Sequence, residues 1–228
     1  KFDFPRLSVV GLDGATFDVL APFMRQGFLP NLARVSRDGV KAKLLSTLPP
    51  VTGPSWVSFM TGKNPENHGI FDFVKAVPGG YQRRLINHKS IRARTIWSIL
   101  SEQGKKVCVV NVPVTYPPPE VNGVLISGML TPNTFSNLIH PASDFTYPAS
   151  LKDQLAEHLG EYVLDVWWQS YGKSRRGIEN FLEALLYCTQ KRIHAAFHLL
   201  KQDSYDLFMI VFVGTDRIQH FLWDYIES

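Results

Sequence analysis

Three stretches of the chain are short, nearly continuous apolar runs rich in β-branched residues: 7–12 (LSVVGL), 106–112 (KVCVVNV) and 207–213 (LFMIVFV). Such runs predict buried strands of a parallel sheet. Between them the periodicity changes. Residues 16–26 predict a short helix closed by Gly27, and Leu29-Pro30-Asn31 opens another that stops at Gly39. Residues 40–46 predict a strand leading into a proline-rich loop, and 55–61 a helix stopped by Gly62. Ile91, Ile96, Trp97, Ile99 and Leu100 fit a helix over 90–103 ended by Gly104. Residues 113–120 hold too many prolines for regular structure, and 123–129 predict a further strand. Ile178, Phe181, Leu182, Leu185, Leu186, Ile193 and Phe197 form a stripe that marks a long amphipathic helix over 175–201.

Strands alternating with helices predict a three-layer α/β/α sandwich with a mainly parallel central sheet. In such sheets functional groups collect beyond the carboxyl ends of the strands. Asp13 follows the first run and Asp216 the last, so these two aspartates are the first candidates for chemistry. No internal repeat or low-complexity linker interrupts the pattern.

Composition narrows the classes of function. The 228 residues are 45% hydrophobic and 19% charged, which suits one good-sized domain or a large part of a bigger one. The net charge of +4 is spread thinly, apart from short clusters such as Arg83-Arg84. That is a poor footprint for a nucleic-acid groove, yet it tolerates an anionic small molecule. Cys108 and Cys188 lie far apart in apolar surroundings, as buried free thiols in a reducing, cytoplasmic setting would; a single disulfide is the alternative. No apolar run reaches the ~18 residues of a membrane span, and no signal-peptide pattern follows Lys1.

The stretch 49–62, PPVTGPSWVSFMTG, surrounds one hydroxyl with prolines and glycine, and reads as a tailored backbone path around Thr52. A threonine hydroxyl is a poor nucleophile at neutral pH; a bound metal ion supplies the missing activation. A position before a helix N-terminus also places it beside N–H groups that favour phosphate. The competing reading is that Thr52 only caps the helix starting at Ser55. Asp216 and His220 are four apart, one turn on one helical face, and form half a site for zinc or a similar divalent metal. For each aspartate alone, helix capping is the competing reading. His68 and His88 fall in loops and read as solvated or structural. Trp167-Trp168 fit either a pocket wall or a core.

GLDGATFD (11–18), LPNLARV (29–35), LLSTLPPVTGPSWVSFMTGKNPENHGIFDF (44–73) and GTDRIQH (214–220) together resemble the type I phosphodiesterase and nucleotide pyrophosphatase family of the alkaline phosphatase superfamily. The resemblance implies a hydrolase with two divalent metal ions, usually zinc, with manganese or another divalent metal as alternatives. It implies that Thr52 is the nucleophile and also touches one metal, that Asp13 is a ligand of that metal, and that Asp216 and His220 hold the other. Two cations about 4 Å apart would stabilise both the attacking and leaving oxygens of an in-line displacement. The implied substrate is a small phosphorylated molecule such as a nucleotide.

Two departures qualify this. The family completes its metal shells with an Asp-His pair and another histidine downstream, and no Asp-His dipeptide occurs in this sequence. Residues 1–228 are therefore expected to be the N-terminal portion of one catalytic domain, with an incomplete metal centre as the alternative. Phe73 stands where nucleotide pyrophosphatases of the better-known type carry an asparagine that binds a phosphoryl oxygen, so phosphoryl recognition is expected to differ. Thr52-Gly-Pro-Ser-Trp56 lacks the precursor residue and the arginine of a sulfatase, and Gly11-Leu-Asp-Gly14 has neither GxGxxG nor GK[ST]. Alternatives are a phosphomonoesterase or phosphotransferase of the same superfamily, and a binding module that takes a phosphorylated ligand or a partner protein.

Overall fold

A computed structural model of the chain describes residues 5–77, 79–132 and 144–226. In chain order the elements are β1 (Leu7–Leu12), α1 (Phe17–Arg25), α2 (Pro30–Asp38), α3 (Thr52–Thr61), α4 (Pro65–His68), β2 (Val74–Ala76) and β3 (Arg83–Leu85). There follow α5 (Ile96–Glu102), β4 (Val107–Val112), β5 (Gly123–Ser127), β6 (Thr146–Tyr147), α6 (Leu151–Leu159), α7 (Arg175–Gln202), β7 (Leu207–Phe212) and α8 (Gly214–Ile226).

The central sheet has the order β1-β7-β4-β5-β6. All its pairings are parallel except that of β6 with β5. β2 and β3 form a separate antiparallel hairpin. Alternation along β4 and β7 separates the two helical layers. Val107, Val109, Leu207, Met209 and Val211 face a cluster with Val57 and Met60 of α3 and Trp97 of α5. Cys108, Val110, Phe208 and Ile210 face Leu151 and Leu155 of α6 and Ala195 and Leu199 of α7. Both strands are therefore covered on both faces, which is why their sequence is continuously apolar. Both cysteines are free and buried, and no helix among the described residues is long and apolar enough to cross a membrane.

Four expectations need correction. Among the described residues β1 is an edge strand rather than a buried one: it pairs there only with β7, and Leu7 and Val10 are exposed. Residues 40–46 form no strand and lie on the surface, because their apolar residues meet no described sheet edge. The helix expected over 90–103 begins only at Ile96, where the Thr95 hydroxyl accepts from Ser98 N–H and caps it. The helix expected from Ser55 starts at Thr52. Gly53 and Pro54 are tolerated in its first turn because the first-turn N–H groups have no intrahelical partner and proline's fixed φ already suits a helix.

Candidate active site

The carboxyl ends of β1 and β7 lie side by side, and Asp13 N–H donates to Phe212 O at 2.9 Å, extending the ladder by one residue. The chain then turns at Gly14, whose φ of +70° favours glycine. A Cβ there would also stand 3.0 Å from the Asp216 Cα, so a side chain would push β1's end away from α8. Thr215 Oγ1 donates to Asp13 O (2.5 Å) and Gln219 Nε2 to Gly14 O (2.8 Å). The two strand ends are thus tied by backbone and side chains together.

Asp13 is 6% exposed. Its Oδ1 accepts from Trp56 Nε1 at 3.1 Å, and its Oδ2 is buried with no partner among the described residues. Trp56 reaches it by crossing β1 at Gly11, where a Cβ would lie 2.3 Å from the indole. Burial, and next the neighbouring Asp216 carboxylate, push the Asp13 carboxyl up from its ordinary value to about 6. The capping reading of Asp13 therefore fails for this structure.

Asp216 sits in the first turn of α8. Arg217 Nη1 donates to its Oδ2 at 2.7 Å, and Arg217 Nε and Nη2 donate to the two carboxylate oxygens of Asp165 at 3.1 and 2.5 Å. Arg217 is buried, so one guanidinium orients both carboxylates. His220 follows one turn later, its Nε2 3.4 Å from Asp216 Oδ1. Its ring stacks parallel to Trp168, with centroids 5.9 Å apart.

Thr52 is the first residue of α3. The N-cap is Val51, which offers no side-chain hydrogen bond, so the structure removes the reading of Thr52 as a cap. The N–H groups of Thr52 and Gly53 therefore stand without a side-chain cap at the positive end of the helix. Asp13, Thr52 and Asp216 line one cavity of about 570 Å³. Thr52, Asp216 and His220 line a second, of about 530 Å³. Thr52 and Asp216 belong to both, so the four residues singled out from the sequence border one continuous region of the surface.

Among the described residues no three His, Cys, Asp or Glu side chains form a metal-holding group. The donors present nonetheless suit a divalent cation. An unpartnered buried carboxylate oxygen on Asp13, held near a second carboxylate, is costly without positive charge beside it, and oxygen plus imidazole is a usual donor set. The residues fit part of a metal shell.

Sequence reading missed Trp56, Asp165 and Arg217. Arg217 lies inside GTDRIQH and was legible as a charge next to Asp216, whereas Asp165 is 52 residues away. His68 is fully buried rather than solvated. Its Nδ1 accepts from Ile70 N–H at 3.2 Å, so Nε2 carries the proton and donates to Ser58 Oγ at 2.9 Å. Burial pulls the pKa of His68 down, and the neutral ring braces α3 against α4.

The Asp13 shift has a sign that can be measured. Its carboxyl is ordinary when unfolded and raised when folded, so its stabilising contribution is full below about pH 3.8 and is lost as pH rises through about 6. The stability difference between wild type and Asp13→Asn, from urea unfolding of metal-free protein, is expected to shift against wild type by roughly 2 kcal/mol between pH 4 and pH 7. A difference that stays flat with pH removes Asp13 as the cause.

A profile of the family described as type I phosphodiesterase / nucleotide pyrophosphatase matches residues 7–228. A search of curated proteins finds no match. Two crystal structures of phosphonoacetate hydrolase from Sinorhizobium meliloti 1021 share the fold. The complex with phosphonoacetate has a TM-score of 0.61 at 21% identity, covering 95% of this chain and 48% of that one. The complex with phosphonoformate has a TM-score of 0.60 at 22% identity, covering 96% and 48%. The chain thus spans about half the length of these relatives.

Proposed function

From the premise that the chain belongs to the type I phosphodiesterase / nucleotide pyrophosphatase family, within the alkaline phosphatase superfamily, we propose that it hydrolyses phosphodiester or pyrophosphate bonds through a covalent threonine intermediate. The observation that carries this reading is the position of Thr52: the first residue of a helix without a side-chain cap, bordering the same cavity as the unpartnered Asp13 oxygen and Asp216.

In this reading the α3 N–H groups of Thr52 and Gly53 hold phosphoryl oxygens. The Thr52 hydroxyl attacks phosphorus, the ester or phosphate group opposite leaves, and water then attacks the phosphorus to free Thr52. Asp13, Thr52, Asp216 and His220 would hold divalent metal, zinc by donor type. Such an ion lowers the pKa of a bound hydroxyl and stabilises charge on the phosphoryl oxygens. Arg217 keeps the Asp216 carboxylate aimed at the cavity, and Trp56 does the same for Asp13.

Residues 1–228 serve in this proposal as the N-terminal portion of one catalytic domain. The outer edge of β1, unpaired among the described residues, and the exposed apolar residues Val40 and Leu45, 98% and 93% accessible, support that division, since exposed apolar surface of this kind marks places where further protein packs. The free buried thiols support a reducing, cytoplasmic setting.

Hydrolysis of bis-p-nitrophenyl phosphate and p-nitrophenyl phosphate by the full-length protein that contains residues 1–228, with zinc or manganese added, tests the activity; residues 1–228 alone are expected to be weakly active or inactive. Faster turnover of the diester is expected. Faster turnover of the monoester replaces the diesterase with a phosphatase, and no turnover of either ester with any divalent metal overturns the hydrolase.

A further inference from the structure

The antiparallel hairpin β2–β3 stands apart from the central sheet, and positive charge collects on and beside it. Residues 73–101 hold six of the 24 lysines and arginines and none of the 20 aspartates and glutamates, so in the rest of the chain acids outnumber cations. Within the hairpin Lys75 lies directly opposite Arg84, and Ala76 opposite Arg83. Like charges facing each other across a strand pair destabilise it. No carboxylate offsets them here: among the described residues Lys75, Arg83, Arg84 and Lys89 have no ion-pair partner. Lys75 Nζ donates instead to the uncharged Ser90 Oγ at 3.0 Å. Arg83, Arg84 and Lys89 are exposed, and Tyr81, in the turn between the two strands, is fully accessible.

The arrangement of these groups selects the shape of the partner. Side chains alternate across a strand, so Lys75 and Arg84 belong to one face of the hairpin and Arg83 to the other, with Tyr81 towards its end. A peptide or a nucleic-acid strand lying along one face would meet only one of those sets. A flat anionic surface approached by the end of the hairpin meets both. The tyrosine ring then sits at the boundary of that surface, where its apolar body and polar tip are each satisfied. Each lysine or arginine close to acidic headgroups strengthens binding by about fivefold.

We propose that the β2–β3 hairpin docks this protein on a membrane surface rich in acidic phospholipid, without a membrane-spanning segment. The proposal goes beyond the hydrolase reading and does not depend on Thr52. Phe73 and Leu85, at the foot of the hairpin, also line the cavity bordered by Thr52 and Asp216, so a docked hairpin brings that cavity close to the headgroups.

Cosedimentation of the full-length protein that contains residues 1–228 with vesicles tests this, comparing phosphatidylcholine alone with phosphatidylcholine containing about one-third phosphatidylserine. Binding is expected to the acidic vesicles only, and is expected to weaken as salt is raised. Arg83→Gln/Arg84→Gln is expected to lower the partition coefficient at least about tenfold, and Tyr81→Ala about threefold. Circular dichroism checks the folding of each variant; if the double variant unfolds, Tyr81→Ala and Lys89→Gln carry the test. No binding to acidic vesicles, equal binding to neutral ones, or binding unchanged in the folded variants overturns the proposal. Binding of heparin or a single-stranded oligonucleotide in place of the vesicles assigns the hairpin to a soluble polyanion and overturns the membrane surface.

Discussion

Thr52→Ala is expected to lower phosphodiester turnover by on the order of a thousandfold or more, the scale on which removal of a covalent nucleophile acts. Thr52→Ser retains a hydroxyl at the same helix position and is expected to keep measurable activity. Stability is expected to separate from activity here. The helix is not capped by Thr52, so alanine at the first helical position leaves the melting temperature within a few degrees of wild type. Two measurements decide the matter. One is the rate on bis-p-nitrophenyl phosphate with zinc or manganese. The other is the intact mass of acid-quenched protein, which gains a phosphoester adduct in wild type and none in Thr52→Ala. Equal rates for wild type and Thr52→Ala would sink the covalent mechanism whatever the substrate.

Breaking the buried charge cluster is expected to have the largest effect on stability. Arg217→Ala leaves Asp165, whose side chain is 5% exposed, without its cation, and releases the Asp216 oxygen held at 2.7 Å. A buried carboxylate stripped of its partner costs about 3–5 kcal/mol. Arg217→Lys is expected to recover only part of this, because an ammonium cannot make the two-pronged contact with Asp165. Asp165→Ala/Arg217→Ala is expected to be less destabilised than the sum of the single variants, since neither charge is then left alone. Urea unfolding of wild type, Asp165→Ala, Arg217→Ala and the double variant measures the coupling. A loss below about 1 kcal/mol for Arg217→Ala would mean that water reaches this cluster and that Asp216 is held by other means.

Much of this fold is legible along the chain for a local reason. β4 and β7 are covered on both faces, so continuous apolar runs announce them. The single stripe of α7, which packs against one side of the sheet, announces a helix 28 residues long. Asp216 and His220 were readable as neighbours because helical geometry brings residues four apart onto one face. Thr52, Asp13 and the Asp216–His220 pair were legible as candidates because they end strands or open helices, where backbone groups and charges gather.

What the sequence by itself determined is therefore the set of elements whose burial repeats with a fixed period, and the chemistry waiting at their ends. Only the tertiary structure decided that β1 is an edge among the described residues, that residues 40–46 pair with nothing described, and that α3 starts at Thr52. It also decided that Trp56 crosses Gly11 to reach Asp13, and that Arg217 joins Asp165 to Asp216. Those partners are 43 and 52 residues apart in the chain. Periodicity records how often a residue is buried, whereas a hydrogen bond across the end of a sheet depends on which elements the strand order β1-β7-β4 brings together, and no local pattern carries that order.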